Sequence, residues 1–356
     1  MTDGLYLYGV VGVADAPLGP VLGLAGGVSI IEQDGLGAIV GTPPKDGFQE
    51  LSREQAVRLL LGHQQVLEAA MGETAVLPVK FGTVAPDEAA VRRLLHQGRN
   101  LLKEQLTEFG RCTQFEIVVS WLPDSIFAEI AREPEILETR KAAAADSGQE
   151  AAVQLGQMVK AALERRRGHL QAQLYKTLSP LAIDLAFNAP MDDRMAANLA
   201  VLAGHADAGR LHAALEKLDA GFGGKFTFRC VGPLPPASFA TVQVGFPSAQ
   251  QIDRARQVLG LSGPASQEVI TSAFRRLARE NHPDLDAANK ENAGRMGELM
   301  AAYRFLLSCE KSQKLSAESE ENAGVLAAGA DAGEPVLIEI VGQKSDGSSK
   351  RQRSAA

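Results

Sequence analysis

Three prolines crowded into GPLPPASF, residues 232–239, constrain the fold of this chain more than any other feature. Pro233, Pro235 and Pro236 lack an N–H and hold φ near about −65°, so no helix or central strand can run through them. The alternating stretch KFTFRCVG must end there, and with it whatever sheet it joins. Before this barrier, strand-like and helical periodicities alternate. After it, and after a linker at GFPSAQQ, the regular pattern is helical up to about residue 311.

The first part reads as α+β. LYLYGVVG at 5–12 is a strand, and two short apolar segments flank Asp34-Gly35, a pair that accepts positive φ in a tight hairpin. Ser52 can cap a helix while Gln55 reaches back, with Val57, Leu60, Leu61, Val66 and Leu67 as its apolar face. Pro78 makes AVLPVKFGTV an edge strand or a bend. Asp87 opens a second helix, and QFEIVVSW alternates as a half-buried strand. Residues 124–178 are helical, with Lys160, Glu164, Arg165, Arg166 and Arg167 as a solvated face. AIDLAF, ANLAVLAG, a helix over 207–218 and KFTFRCVG make a second unit. The expectation is two small α+β (ferredoxin-like) units, 1–122 and 123–246, bracketing a long helical region. An all-α helical hairpin over 251–311 and a flexible tail over 312–356, broken only by VLIEIVG, follow.

Charge and cysteine usage narrow the function classes. A net charge of −7 disfavours a nucleic-acid partner, and no apolar run is long enough to span a bilayer. The start, MTDGLYLYGVV, lacks a secretory signature, and Cys112, Cys230 and Cys309 are too dispersed for a disulfide scaffold. Both points favour the cytoplasm. GFGGKF at 221–226 has the wrong spacing for a phosphate loop, and His205 and His212 lack the further ligands a metal needs. No enzyme activity, metal or cofactor is expected.

The helical segment carries the sharper pattern. Ile270, Phe274, Leu277 and Ala278 share one face, and Met296, Leu299, Tyr303 and Leu306 share another, so the two helices should pack as an antiparallel pair. Arg275, Arg276 and Arg279 make the outer side of the first helix basic. Pro283 ends that helix by displacing His282 from the helical region. As a bare tripeptide, His282-Pro283-Asp284 is simply a helix terminator, because one tripeptide cannot supply a nucleophile or a full ligand set.

In context, the segment resembles the J-domain of DnaJ-type co-chaperones. Leu259-Gly260-Leu261, the basic helix, the His-Pro-Asp loop and the Ala302-Tyr303 pair occur in the family's order. The resemblance implies that His282, Pro283 and Asp284 stimulate ATP hydrolysis by a DnaK-type chaperone, with Arg275, Arg276 and Arg279 as docking face. Leu259, Ile270, Phe274, Leu277, Leu299 and Tyr303 would form the core. Glu280, Asn281 and Leu285 depart from the family's usual basic, aromatic and lysine residues.

Residues 4–246 resemble the gas vesicle protein GvpL/GvpF family. The carriers are Leu77, Pro78, Lys80, Phe81, Gly82 and Thr83, after a helix containing His63, and Gly232, Pro233, Pro235, Pro236, Ser238 and Phe239. This resemblance implies a cytoplasmic protein associated with gas vesicles, whose partners are the main shell protein and other gas vesicle proteins. Together the two resemblances imply an assembly factor that binds shell protein and recruits a DnaK-type chaperone. The alternative is a minor structural component of the shell with a weak or inactive J-domain.

Overall fold

The computed structural model describes residues 4–12, 21–145, 149–281, 290–322 and 335–342. The described residues divide into two compact units, one within 1–110 and 240–341, the other within 111–239 and 342.

The first unit begins with β1 (Leu5–Gly12), β2 (Leu22–Gly23), β3 (Gly26–Gln33) and β4 (Leu36–Gly41). Asp34 and Gly35 turn β3 into β4 at φ 54° and 76°, the positive pair that a tight antiparallel turn needs. Helix α1 (Arg53–Glu73) opens on the expected Ser52–Gln55 capping box. Next come β5 (Val76–Pro78), β6 (Val84–Ala85), α2 (Glu88–Gln97), which Asp87 caps, and α3 (Arg99–Phe109). The strands pair antiparallel in the order β2-β3-β4-β1-β5, with β6 also on β1, so Pro78 lies on an edge strand. One face of the sheet packs Leu7, Val10 and Val40 against α2 and α3 through Leu94, Leu95 and Leu102.

Two expectations change here. Only the C-terminal part of the apolar stripe of α1 is buried: Val66 and Leu67 face inward with His63 and Ala70, whereas Val57, Leu60 and Leu61 are about half exposed. Contact with β1 and β5, and not the count of apolar residues, sets which side faces inward. The first unit also ends before residue 122, because the strand expected to complete it pairs elsewhere.

That strand, β7 (Cys112–Trp121), lies inside the sheet of the second unit. It leads into α4 (Pro123–Ile130), α5 (Pro134–Ala145) and α6 (Gln149–Leu178), then β8 (Asp184–Phe187), β9 (Met195–Gly204), α7 (Ala208–Gly221) and β10 (Phe226–Leu234). The antiparallel order β10-β7-β9-β8 is the ferredoxin-like arrangement, and the helical region is the crossover from β7 to β8 within it. Phe115, Ile117, Val119 and Trp121 alternate inward onto Leu170, Leu174 and Leu178 of α6. Within the run expected to be a solvated face, Arg167 is buried, donating to the carbonyls of Met195 and Asp193 and pairing with Glu164. Arg165 and Arg166 both grip Glu133.

The chain returns to the first unit with β11 (Thr241–Gly245), then α8 (Ala249–Val258), α9 (Gln267–Glu280) and α10 (Lys290–Asn322). The segment expected to be a flexible tail holds one more strand, β12 (Leu337–Val341), paired antiparallel with β11. VLIEIV supplies β-branched residues at alternate positions, and burial on one side outweighs the composition around it.

Candidate functional site

Three regions hold the residues singled out in the sequence. The first is a buried polar and aromatic cluster behind residues 77–83. Tyr6 and Tyr8, neighbours on β1, both meet His63 of α1, Tyr6 also meets Phe48, and Phe81 closes the cluster against His63 and Phe48, with ring separations of 4.7–5.8 Å throughout. The Tyr6 hydroxyl donates to His63 Nδ1 at 2.7 Å and accepts the N–H of Gly82 at 3.5 Å. A donor at Nδ1 puts the neutral ring's proton on Nε2. Burial pushes His63 down from 6.5 to about 4, against a smaller opposing pull from a hydrogen bond to the backbone of Val79. Burial likewise raises Tyr6 and Tyr8.

Leu77 and Pro78 are buried, while Lys80 is exposed and its Nζ donates to Gln243 at 3.1 Å. The Thr83 hydroxyl donates to the Lys80 carbonyl at 2.6 Å and closes the bend. The motif is therefore a shaped turn held by Tyr6 and His63. We expect Tyr6→Phe to destabilise the fold by about 1–3 kcal/mol, because it leaves a buried ring nitrogen without a donor. Tyr175→Phe, at a half-exposed site, should stay within about 0.5 kcal/mol in the same urea titration. Equal losses for the two variants would count against this role for the hydroxyl.

The second region, 232–239, is pinned to β7. The side-chain amide of Gln114 donates to Ser238 Oγ at 3.0 Å and to Glu116 at 2.5 Å, while its carbonyl accepts the Ser238 N–H at 2.8 Å. Desolvation raises the Glu116 carboxyl, opposed by its bonds to Ser238 and Gln114. A Cβ on Gly232 would stand 2.5 Å from the Phe115 ring and 2.8 Å from the Gln114 carbonyl, so a side chain there has no room. Pro235, Pro236 and Phe239 are buried, and Pro233 is exposed. Gln114 and Glu116 were not singled out in the sequence, since polar residues on a strand carry no sign of a partner more than a hundred positions away.

The third region is the helical pair. Leu259, Ile270 and Leu299 are buried with Ala273, Ala302, Leu306 and Cys309, and Phe274, Leu277 and Tyr303 pack around them. Phe274 stacks on Tyr303 at 4.4 Å between centroids and an interplanar angle of 17°. Arg275, Arg276 and Arg279 are exposed on the outer side of α9. The helix ends at Glu280, and Asn281 closes it by donating both its backbone N–H and its Nδ2 to the Leu277 carbonyl. His282, Pro283 and Asp284 lie outside the described residues.

Residues 4–241 match the family model "Gas vesicle synthesis protein GvpL/GvpF". The chain belongs to the GvpL/GvpF family. Residues 257–315 match the model "DnaJ domain", so this GvpL/GvpF protein is fused to a J-domain. Gas vesicle protein F of Streptomyces sp. (strain CB03234) is 28% identical over 241 residues, covering 66% of this chain and 98% of that protein. The crystal structure of GvpF from Anabaena sp. PCC7120 shares the fold at TM-score 0.56 and 23% identity, over 66% of this chain and 96% of that one. Chaperone protein DnaJ 2 of Streptomyces avermitilis is 48% identical over 56 residues, only 15% of its length. The match to DnaJ is thus to the J-domain alone. Among the described residues no helix is long and apolar enough to cross a membrane, and no cluster of His, Cys, Asp and Glu could hold a metal ion.

Proposed function

We propose that this GvpL/GvpF protein is a gas vesicle assembly factor that holds the main shell protein and brings a DnaK-type chaperone to it. It acts by binding, not by catalysing a reaction, and works in the cytoplasm beside growing vesicles. The observation that carries the reading is a packed pair of J-domain helices, with Phe274 stacked on Tyr303 and three arginines outward, within a GvpL/GvpF chain. The exposed basic face is suited to steering onto an acidic patch of the chaperone. Fusion keeps the co-chaperone at high effective concentration beside its client, and an apolar, polymerising client is prone to aggregate before it assembles.

The test is DnaK ATPase turnover with the intact chain and with His282→Gln. The intact chain should stimulate turnover several-fold and the variant should not. Co-purification should recover shell protein with both chains. If neither chain stimulates while both bind shell protein, the protein is instead a minor structural component with an inactive J-domain. Glu280, exposed beside Arg279, is the feature that favours that second reading.

A further inference from the structure

β12 lies wholly outside both family matches: the GvpL/GvpF match stops at residue 241, the first residue of β11, and the J-domain match at 315, whereas β12 is Leu337–Val341. We propose that β12 is a lock that fastens the J-domain to the N-terminal unit at a second point. The J-domain is then carried in one fixed placement on that unit.

The argument starts from connectivity. β11 and β12 pair from Thr241↔Val341 to Gly245↔Leu337, so the whole J-domain is inserted between two strands of one antiparallel pair. Its two exits, at Gly245 and Leu337, are direct cross-strand partners, and such partners lie about 5 Å apart. The entry link is short as well. Only Phe246, Pro247 and Ser248 separate β11 from α8; Pro247 is buried and Phe246 packs on the N-terminal core.

Side-chain alternation makes the strand bifunctional. Val336, at 1% exposure, joins Ile338 and Ile340 in the core of the N-terminal unit, whereas Leu337 packs against the J-domain core. The backbone of Val336 repeats this division. Its N–H donates to Gln97 Oε1 of α2 at 2.9 Å, and its carbonyl accepts from the buried Ser312 hydroxyl of α10. Helices α2 and α10 also pack side by side. The α2–α3 junction is cut to fit, since a Cβ on Gly98 would stand 2.7 Å from Ile338 Cδ1. If β12 only completed the N-terminal core, neither Leu337 nor Ser312 would need to meet across it. A chain held at one end by three residues retains rotational freedom, which a second anchor removes.

The lock is tested independently of DnaK, by pulsed dipolar spectroscopy on the full chain. The chain would carry Cys230→Ser and nitroxides on Glu54→Cys of α1 and Gln257→Cys of α8, both exposed sites, while Cys112 and Cys309 are buried. One narrow distance is expected. Ending the chain after Glu334 should broaden the distribution several-fold, and Glu339→Gln, on the exposed side of β12, should leave it narrow. Leu337→Ser removes only the contact with the J-domain and should broaden it too, which covers the case where the shortened chain fails to fold. A distribution equally narrow without β12, unchanged by Leu337→Ser, or already broad in the intact chain would overturn the lock. Loss of DnaK stimulation with a narrow distance would count against the functional reading and leave the lock standing.

Discussion

Acidification from pH 6.5 to about pH 4 is expected to cost the fold about 3 kcal/mol through His63 alone. The ring is 5% exposed, so water does little to screen this effect. Above pH 6.5 the ring is neutral whether the chain is folded or unfolded, and it contributes no pH dependence. Below 6.5 the unfolded chain takes up a proton that the folded chain refuses, because the site is desolvated and Nδ1 is occupied by the Tyr6 hydroxyl. Stability therefore falls with pH through this window and stops falling on His63's account near pH 4, where both states are protonated. Urea midpoints across pH 4–7 should show the slope, and His63→Gln should flatten it. Parallel curves for the two chains would mean that other groups carry the acid sensitivity.

The second large effect belongs to the ferredoxin-like unit. Phe115→Ala should destabilise it by about 3–5 kcal/mol, the usual range for emptying a fully buried aromatic site. Phe115 sits on an inner strand at 0% exposure, edge-on to His212 with centroids 5.3 Å apart, and under the backbone of Gly232. Neighbours on both sides limit collapse into the cavity. Trp121, the only tryptophan, belongs to the same core, so its fluorescence follows this unit without a label. Phe127→Ala, at a half-exposed site, should move the midpoint by no more than about 0.5 kcal/mol. Similar shifts for both variants would refute the packing argument.

Local chemistry made much of the molecule readable before its fold was known. The Asp34-Gly35 turn, the Ser52–Gln55 box and the Asp87 cap each depend on residues a few positions apart, and each stands where the spacing put it. The two helical faces of the J-domain followed from their period for the same reason. What stayed hidden was non-local. An alternating strand such as β7 declares that one of its faces is buried, but not which strands flank it, and its partners on β9 and β10 come much later in the chain. The inward turn of His63 depended on a hydroxyl from β1, while the apolar Val57, Leu60 and Leu61 were left outside. Ser238 was legible as part of a motif, but Gln114 and Glu116, which hold it, were not.

β12 also bears on how the chain is made. Synthesis runs from the N-terminus, so β1 to α3 leave the ribosome well before Val336, Ile338 and Ile340 exist to cover their share of that core. Helices α8 to α10 emerge in between and can form from contacts close in sequence. A nascent chain thus has the helices of its J-domain complete while the older unit still has an open seam along β11. β12, made after both, closes them at once.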